Sequence, residues 1–375
     1  MSKSRLLFLG AIASLSIASI VACASKNNTT SDAGTGVTCA SEKANPSLTK
    51  NGFAECTSCT VPNLTPPLTC SDSKPIAACC TQVQNPTVEI YRATGLNYNS
   101  APNGDTNPDL TCLDTPKAQG TPQAVSVKGF VKLFSTGDDS QGVKIEFFEA
   151  GPNGTLGKAI GTPVVTTDQS GFKDPKPTWS KKCPTEGCTL RAFTYDGVPT
   201  ETPLIVKTSD AKGSQKWAEL YDYNIYFAND QVQAGSVSYE PSAVASTDVN
   251  TIASAAGGFT IKADKGLIAG EVHDCADVRL GGAMVNTDYR PEGDMFYFGD
   301  NESDPLPDKS RAPAGLGTSK LGLFGALNYP TGSPIRVSAI GKYKGATVLL
   351  GTIQVQVFPG AVSAFSFRGR RPWQK

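Results

Sequence analysis

Val125-Ser-Val-Lys-Gly129-Phe-Val131-Lys-Leu-Phe134 alternates apolar and polar side chains over most of its length. A period of two is the signature of a β-strand, because successive side chains point to opposite faces. Val143-Lys-Ile-Glu-Phe-Phe148 follows with the same period after the turn residues Gly137-Asp138-Asp139. Working outward, the strand pattern continues at Gly161–Thr167, Thr189–Thr194, Leu204–Thr208 and Leu220–Phe227, punctuated by Gly151-Pro-Asn-Gly154, Asp168–Gly171 and Asp196-Gly197. Such spacing of short strands and turns predicts an all-β domain over 123–235. Residues 236–258 are poorer in pattern and read as a connector, with a short helix over Ser246–Ala256 capped by Ser246 or Thr247 and stopped by Gly257-Gly258. A second β region spans 259–368 and closes with Val348–Phe358 and Ala361–Phe367. A basic tail, 369–375, follows and reads as a frayed, solvated terminus.

The two β regions repeat one another. Val127-Lys-Gly129-Phe-Val131 and then Gly142-Val-Lys-Ile145 match Ile268-Ala-Gly270-Glu-Val272 and then Gly282-Ala-Met-Val285. Later, Leu190–Tyr195 leading to Pro203–Val206 matches Leu323–Tyr329 leading to Pro334–Val337, at offsets of roughly 130–140 residues. The pattern apolar-x-Gly-x-Val, a loop, then Gly-apolar-x-apolar resembles the first strand pair of carboxypeptidase regulatory-like domains. In that family the second strand carries a Gly-Ala-x-Val signature, matched by Gly282-Ala283-Met284-Val285 and more loosely by Gly142–Ile145. The resemblance covers 123–368 and implies tandem seven-stranded β-sandwiches of the transthyretin (prealbumin) type, preceded by a Cys-rich, disulfide-stapled segment. It implies a fold and no chemistry. Long insertions at Pro175–Gly187 and Pro291–Gly317 depart from the family pattern.

The amino-terminal region speaks to location. Lys3 and Arg5 precede an uncharged, mostly apolar or small stretch, Leu6–Ala22, and Ile20-Val-Ala-Cys23 resembles the bacterial lipobox. That resemblance implies a signal peptide over 1–22 and a lipid on Cys23, the two or three acyl chains of which give stable membrane anchoring. Ala24 at the next position implies sorting to the outer membrane. Residues 23–38 are small and polar, a tether without core-forming residues. The whole arrangement is similar to lipoproteins of myxobacteria and their relatives.

The chain of 375 residues holds 11 Cys and one His, a ratio that fits an oxidising compartment better than the cytosol. The segment 39–122 contains Cys39, Cys56, Cys59, Cys70, Cys79, Cys80 and Cys112, is rich in Pro, Asn and Thr, and has one strand candidate, Thr87–Arg92. Cys56-x-x-Cys59 lacks a second CxxC and a nearby His, so disulfides are favoured over a zinc ribbon. Cys183 and Cys188 are spaced for a local bridge. With Cys23 lipidated, Cys275 then makes the remaining thiols even in number, predicting a bridge from the Cys-rich segment to the second β region.

Chemistry is sparse. Thirty-four basic and 34 acidic residues leave no global field to attract nucleic acid. One His excludes His-based zinc sites, and His273, with no Gly-x-Ser-x-Gly elbow to serve, reads as a surface or edge histidine. No P-loop or dinucleotide fingerprint is present, and no cofactor is implied. Asp300, Glu302 and Asp304 offer oxygen ligands for Ca²⁺ without EF-hand spacing. Trp217, Tyr221, Tyr223, Tyr226 and Phe227 could make a sugar-stacking face, but Tyr221 and Tyr223 share a strand face that Tyr226 does not, so part of the set must be core, and core packing is the favoured reading. The expectation is a non-enzymatic envelope lipoprotein with a scaffolding or recognition role. Its partners are the membrane and a glycan, a peptide or another envelope protein. A glycan- or peptide-binding module is the second reading, and a hydrolase with dispersed carboxylates the third.

Overall fold

The computed structural model describes residues 60–61, 68–69, 86–114, 118–134, 140–166, 171–173, 189–287, 295–332, 334–369 and 371–373. Cys23, Cys39, Cys56, Cys59, Cys70, Cys79, Cys80, Cys183 and Cys188 lie outside the described residues.

The chain is all-β, arranged as sandwiches, and the sequence repeat is a repeat of strand pairing. In the first copy, strand Ala124–Phe130 pairs antiparallel with Thr189–Pro199 and parallel with Ser236–Ser238. In the second, Lys265–Val272 pairs antiparallel with Leu323–Pro330 and parallel with Val362–Phe367. The opposing sheets match too. Val143–Ala150 pairs with Leu204–Asp210, and that strand with Leu220–Ile225. Met284–Thr287 pairs with Ile335–Tyr343, and that strand with Ala346–Val355. Val127, Ile145, Phe147, Tyr195 and Val206 fill the first core; Ile268, Val285, Phe324, Val337 and Phe365 fill the second.

The shared motif has a steric cause. A Cβ on Gly129 would lie 1.8 Å from the Tyr239 carbonyl oxygen, and one on Gly270 would lie 2.0 Å from that of Phe365. Both glycines admit the backbone of a neighbouring segment at the same point of the repeat. The second motif glycine opens the next strand in a left-handed conformation, with φ of 77° at Gly142 and 83° at Gly282, where a side chain is strained.

The two sandwiches are fused. Leu220–Ile225, from the first copy, pairs parallel with Val362–Phe367, from the second. The result is one nine-stranded sheet. Alternation along the joining strand sends Tyr221 and Tyr223 into the core of the second copy and leaves Leu220 and Asp222 on the opposite face.

Residues 236–258 contribute more than a connection. Ser242–Val244 pairs parallel with Lys132–Phe134, and helix Ser246–Gly257 follows. The amino-terminal cap position is Ala245, without a side-chain cap, because the Ser246 hydroxyl is spent on the Gln215 carbonyl at 2.6 Å. Gly258, at φ 75°, ends the helix in the left-handed conformation. Within Thr87–Arg92 only Tyr91–Arg92 is a strand, and it pairs with Leu280–Gly281. Leu220–Ile225 stops short of Phe227 after Asn224 turns to φ 64°.

The described part of the Cys-rich segment docks on the second sandwich. Cys112 and Cys275 form a disulfide across 163 residues of chain. Buried Asp274 accepts hydrogen bonds from Arg92 Nε at 2.5 Å, from the Asp109 N–H at 2.9 Å and from the Ala276 and Val278 N–H groups at 3.0 Å. Every oxygen of this buried charge is answered, which is the condition for burying it at all.

Replacing Gly270 with Ala should cost about 3 kcal/mol or more, since a rigid backbone carbonyl stands where the methyl would go. Thermal unfolding measures this. A G270A protein as stable as the parent would contradict the close approach.

Candidate functional site

The face of the nine-stranded sheet that turns away from the second core bears a cavity of about 620 Å³. Its floor is set by strand register. Leu220, Val362 and Leu267 stand side by side in one row, and Asp222, Ala364 and Ala269 form the next. Beyond them, Glu271 lies beside Ser366. The middle row is hollow because two of its three members are alanines. Gly325 continues that row, paired with Ala269, and its missing side chain is replaced by the Phe296 ring, 2.6 Å from where a Cβ would be.

The walls come from both sandwiches and the connector. Phe134 belongs to the first copy, Tyr239 to the connector, Val249 and Ile252 to its helix, and Phe298, Leu321 and Leu327 to the second copy. The long insertion therefore supplies a wall, since Phe296–Phe298 is a strand paired with Leu323–Pro330. Chemistry changes along the strands. The Leu220 row is apolar and covered, whereas the Glu271 end carries charges and opens to solvent, with the Asp277 side chain 46% exposed.

That polar end is a closed ion-pair network. Glu271 places Oε1 2.9 Å from Arg279 Nη2 and Oε2 2.7 Å from His273 Nε2. His273 Nδ1 lies 2.8 Å from Asp277 Oδ1, which also contacts Arg368. Glu302 accepts from the Asn97 N–H at 3.0 Å and Nδ2 at 2.7 Å and faces Arg279 at 3.8 Å. Burial alone would push the Glu271 carboxyl up, but Arg279 and His273 overcome it and hold the group well below the usual carboxylate range. Arg279 is held above its ordinary value by Glu271, against its own burial.

Asp222 behaves in the opposite way. Burial pushes its carboxyl up to about 6, against the stabilising hydrogen bond that the Tyr239 hydroxyl donates to Oδ2 at 2.8 Å and the field of Arg368, while Glu271 raises it further. Tyr239 is itself driven well above its ordinary value by burial and by Asp222, and its ring packs on Phe147 and Phe227. The site is thereby wired into the first core.

Several sequence expectations change here. His273 is not a surface or edge residue: it is 1% exposed, with its backbone bonded to Phe367 and bridged to Arg279 and its ring held between Glu271 and Asp277. The aromatic set, in contrast, is core as the favoured reading had it: Trp217, Tyr221, Tyr223 and Phe227 are buried, the first and last in the first core and the two tyrosines in the second. Tyr226 is half-buried and packs against Trp373, while Arg371 donates to the Asn224 carbonyl at 3.0 Å. The tail is therefore not frayed as far as Trp373, since these contacts hold residues 371–373 on the body. Among the described residues no three His, Cys, Asp or Glu converge to hold a metal. Asp300 accepts from the Lys320 N–H at 3.1 Å while the Glu302 carboxylate turns to Asn97 and Arg279, so the two do not share a site.

Asp222 was overlooked in the sequence, although a signal existed: alternation through Leu220-Tyr-Asp222-Tyr-Asn224 puts an acid on an otherwise apolar face.

No family model matches the sequence, and no curated protein matches it. Among solved structures, a point mutant of the major pilin from Streptococcus pyogenes aligns at 8% identity over 65% of this chain and 99% of that one, with a TM-score of 0.15. At that score the likeness carries no argument.

Asp222 makes the protein less stable as pH rises. Its folded value, about 6, lies above the ordinary 3.8, so the folded state holds the proton more tightly and loses stability between about pH 4 and pH 6. The full shift corresponds to about 3 kcal/mol, less after discounting for solvent in the cavity. Asp222→Asn, which keeps an oxygen for Tyr239, should raise stability at pH 7 by about 1–2 kcal/mol and flatten that slope. Denaturant titrations at pH 4 and pH 7 check it; parallel curves for both proteins would refute it.

Proposed function

We propose that the chain is a lipid-anchored protein of the bacterial envelope whose folded body recognises a small, largely apolar ligand in the cavity between its sandwiches. The observation that carries this reading is the cavity itself: about 620 Å³, walled by both copies and the connector, apolar at the Leu220 end and charged at the Glu271 end, with those charges paired to one another except Asp222. Ligand sites have that character. A scaffold alone has no need of a hollow in which a carboxylate is kept at a cost to stability, and perturbed acids gather at functional sites.

The proposal extends to kinship and location. The repeated pairing supports reading both copies as transthyretin-like domains of the carboxypeptidase regulatory-like kind. The lipobox resemblance supports a diacylated Cys23, a tether, and sorting to the outer membrane. The buried aromatics weigh against a glycan platform. A hydrolase reading has five lining carboxylates to draw on, but all except Asp222 are paired: Glu240 with Lys132, Glu271 with Arg279 and His273, Asp277 with Arg368 and Glu302 with Arg279. Among the described residues no unpaired carboxylate accompanies Asp222 in the lining, so binding without turnover fits better.

Two measurements test this. Cys23→Ser should release the protein from the membrane fraction and abolish the acyl mass on the mature amino terminus; a protein that stays membrane-bound and unmodified would refute the anchor. Ala364→Phe should fill the hollow, so binding of an environment-sensitive apolar dye to the lipid-free body should fall at least about tenfold with the melting temperature kept within a few degrees. Undiminished dye binding by A364F would place the ligand elsewhere.

A further inference from the structure

The polarity of the cavity says which ligand it takes. Resting on the binding reading above, we infer that the occupant is an apolar molecule bearing a single protonated amine, with the ammonium set against the Asp222 carboxylate and the apolar body lying over Ala364 and Ala269 towards the Leu220 row.

The argument is one of charge complementarity. The lining carries five carboxylates, Asp222, Glu240, Glu271, Asp277 and Glu302, against four cations, Lys132, Arg279, Arg368 and Arg371. The cations are committed. Lys132 pairs with Glu240, Arg279 with Glu271 and Glu302, and Arg368 with Asp277. Arg371 is bound to Asn224 and lies over the Tyr226 ring. Among the described residues Asp222 has no ion pair, and its one side-chain hydrogen bond comes from neutral Tyr239 and is made to Oδ2. Its remaining acceptor capacity is directed at a hollow whose neighbouring positions are methyl groups.

A carboxylate so placed is stabilised by a cation that arrives with its own apolar body. A bare metal ion is a poor candidate, since alanine methyls offer none of the additional oxygens that Ca²⁺ or Mg²⁺ requires. An anionic amphiphile is worse, because no rim arginine is free to receive it and Asp222 repels it. The ammonium hydrogen-bonded to the carboxylate is the charge-assisted, shorter and stronger kind of contact.

The test uses the lipid-free body and three probes that share one chain: dodecylamine, dodecanol and dodecanoate, each displacing the apolar dye at pH 7.5 below its micellar concentration. The expected order is amine first by at least about tenfold over the alcohol, with the carboxylate last. Asp222→Asn should erase the amine's advantage, and unfolding is no confounder because that variant is expected to be the more stable. Equal binding of the three probes, or preference for dodecanoate, would overturn the assignment of ligand class while leaving the cavity as a binding site. An amine advantage that survives in D222N would equally overturn it, by moving the charge contact elsewhere. Displacement by none of the three would remove the cavity reading and this inference together.

Discussion

The parallel pairing of Leu220–Ile225 with Val362–Phe367 is the contact on which the rest of the molecule depends. It converts two repeats, each able to form its own core, into a single body with a shared sheet. It also fixes the register that puts Asp222 level with Ala364 and Ala269. A slip of one residue would exchange faces, sending Asp222 into the second core and Tyr221 into the cavity. The hydrophobic cost of exposing two large rings, each worth a few kcal/mol when buried, holds the register in place.

Sharing a sheet also creates the cavity. A sheet buried on one face by its own sandwich must cover the other face or leave it in water. Here the outer face of the second copy receives a helix, the flank of the first copy and a strand from an insertion. These three pieces are not a designed lid for a flat surface, and alanines in the middle row leave room beneath them. The charges at the open, polar end are paired with one another, so Asp222 is the exception within an otherwise balanced lining.

The period-two stretches and turn residues made the strands legible, because alternation is a local property that tertiary context seldom overrides. The repeat was legible for a physical reason that only the structure reveals: Gly129 and Gly270 tolerate no side chain, and Gly142 and Gly282 need positive φ. Odd-cysteine arithmetic pointed to Cys275, and the structure pairs it with Cys112. What local pattern does not encode is which strand of one copy meets which strand of the other. Hence the burial of His273, the docking of Trp373 and the cavity were out of reach. Asp222 was half legible: its face could be read, but not that the face would be covered.

The order of synthesis gives the shared sheet a kinetic consequence. Val362–Phe367 is the last of the described strands to be made, yet it lies at the middle of the nine, between Lys265–Val272 and Leu220–Ile225. The first sandwich can assemble while the chain is still growing, but the edge of Leu220–Ile225 stays unpaired until some 140 further residues have appeared. For that interval an open β-edge beside two exposed tyrosines is a template for the wrong partner. A molecule built this way gains from holdase protection late in its maturation, and shortening it by its final strand would harm the first sandwich as much as the second.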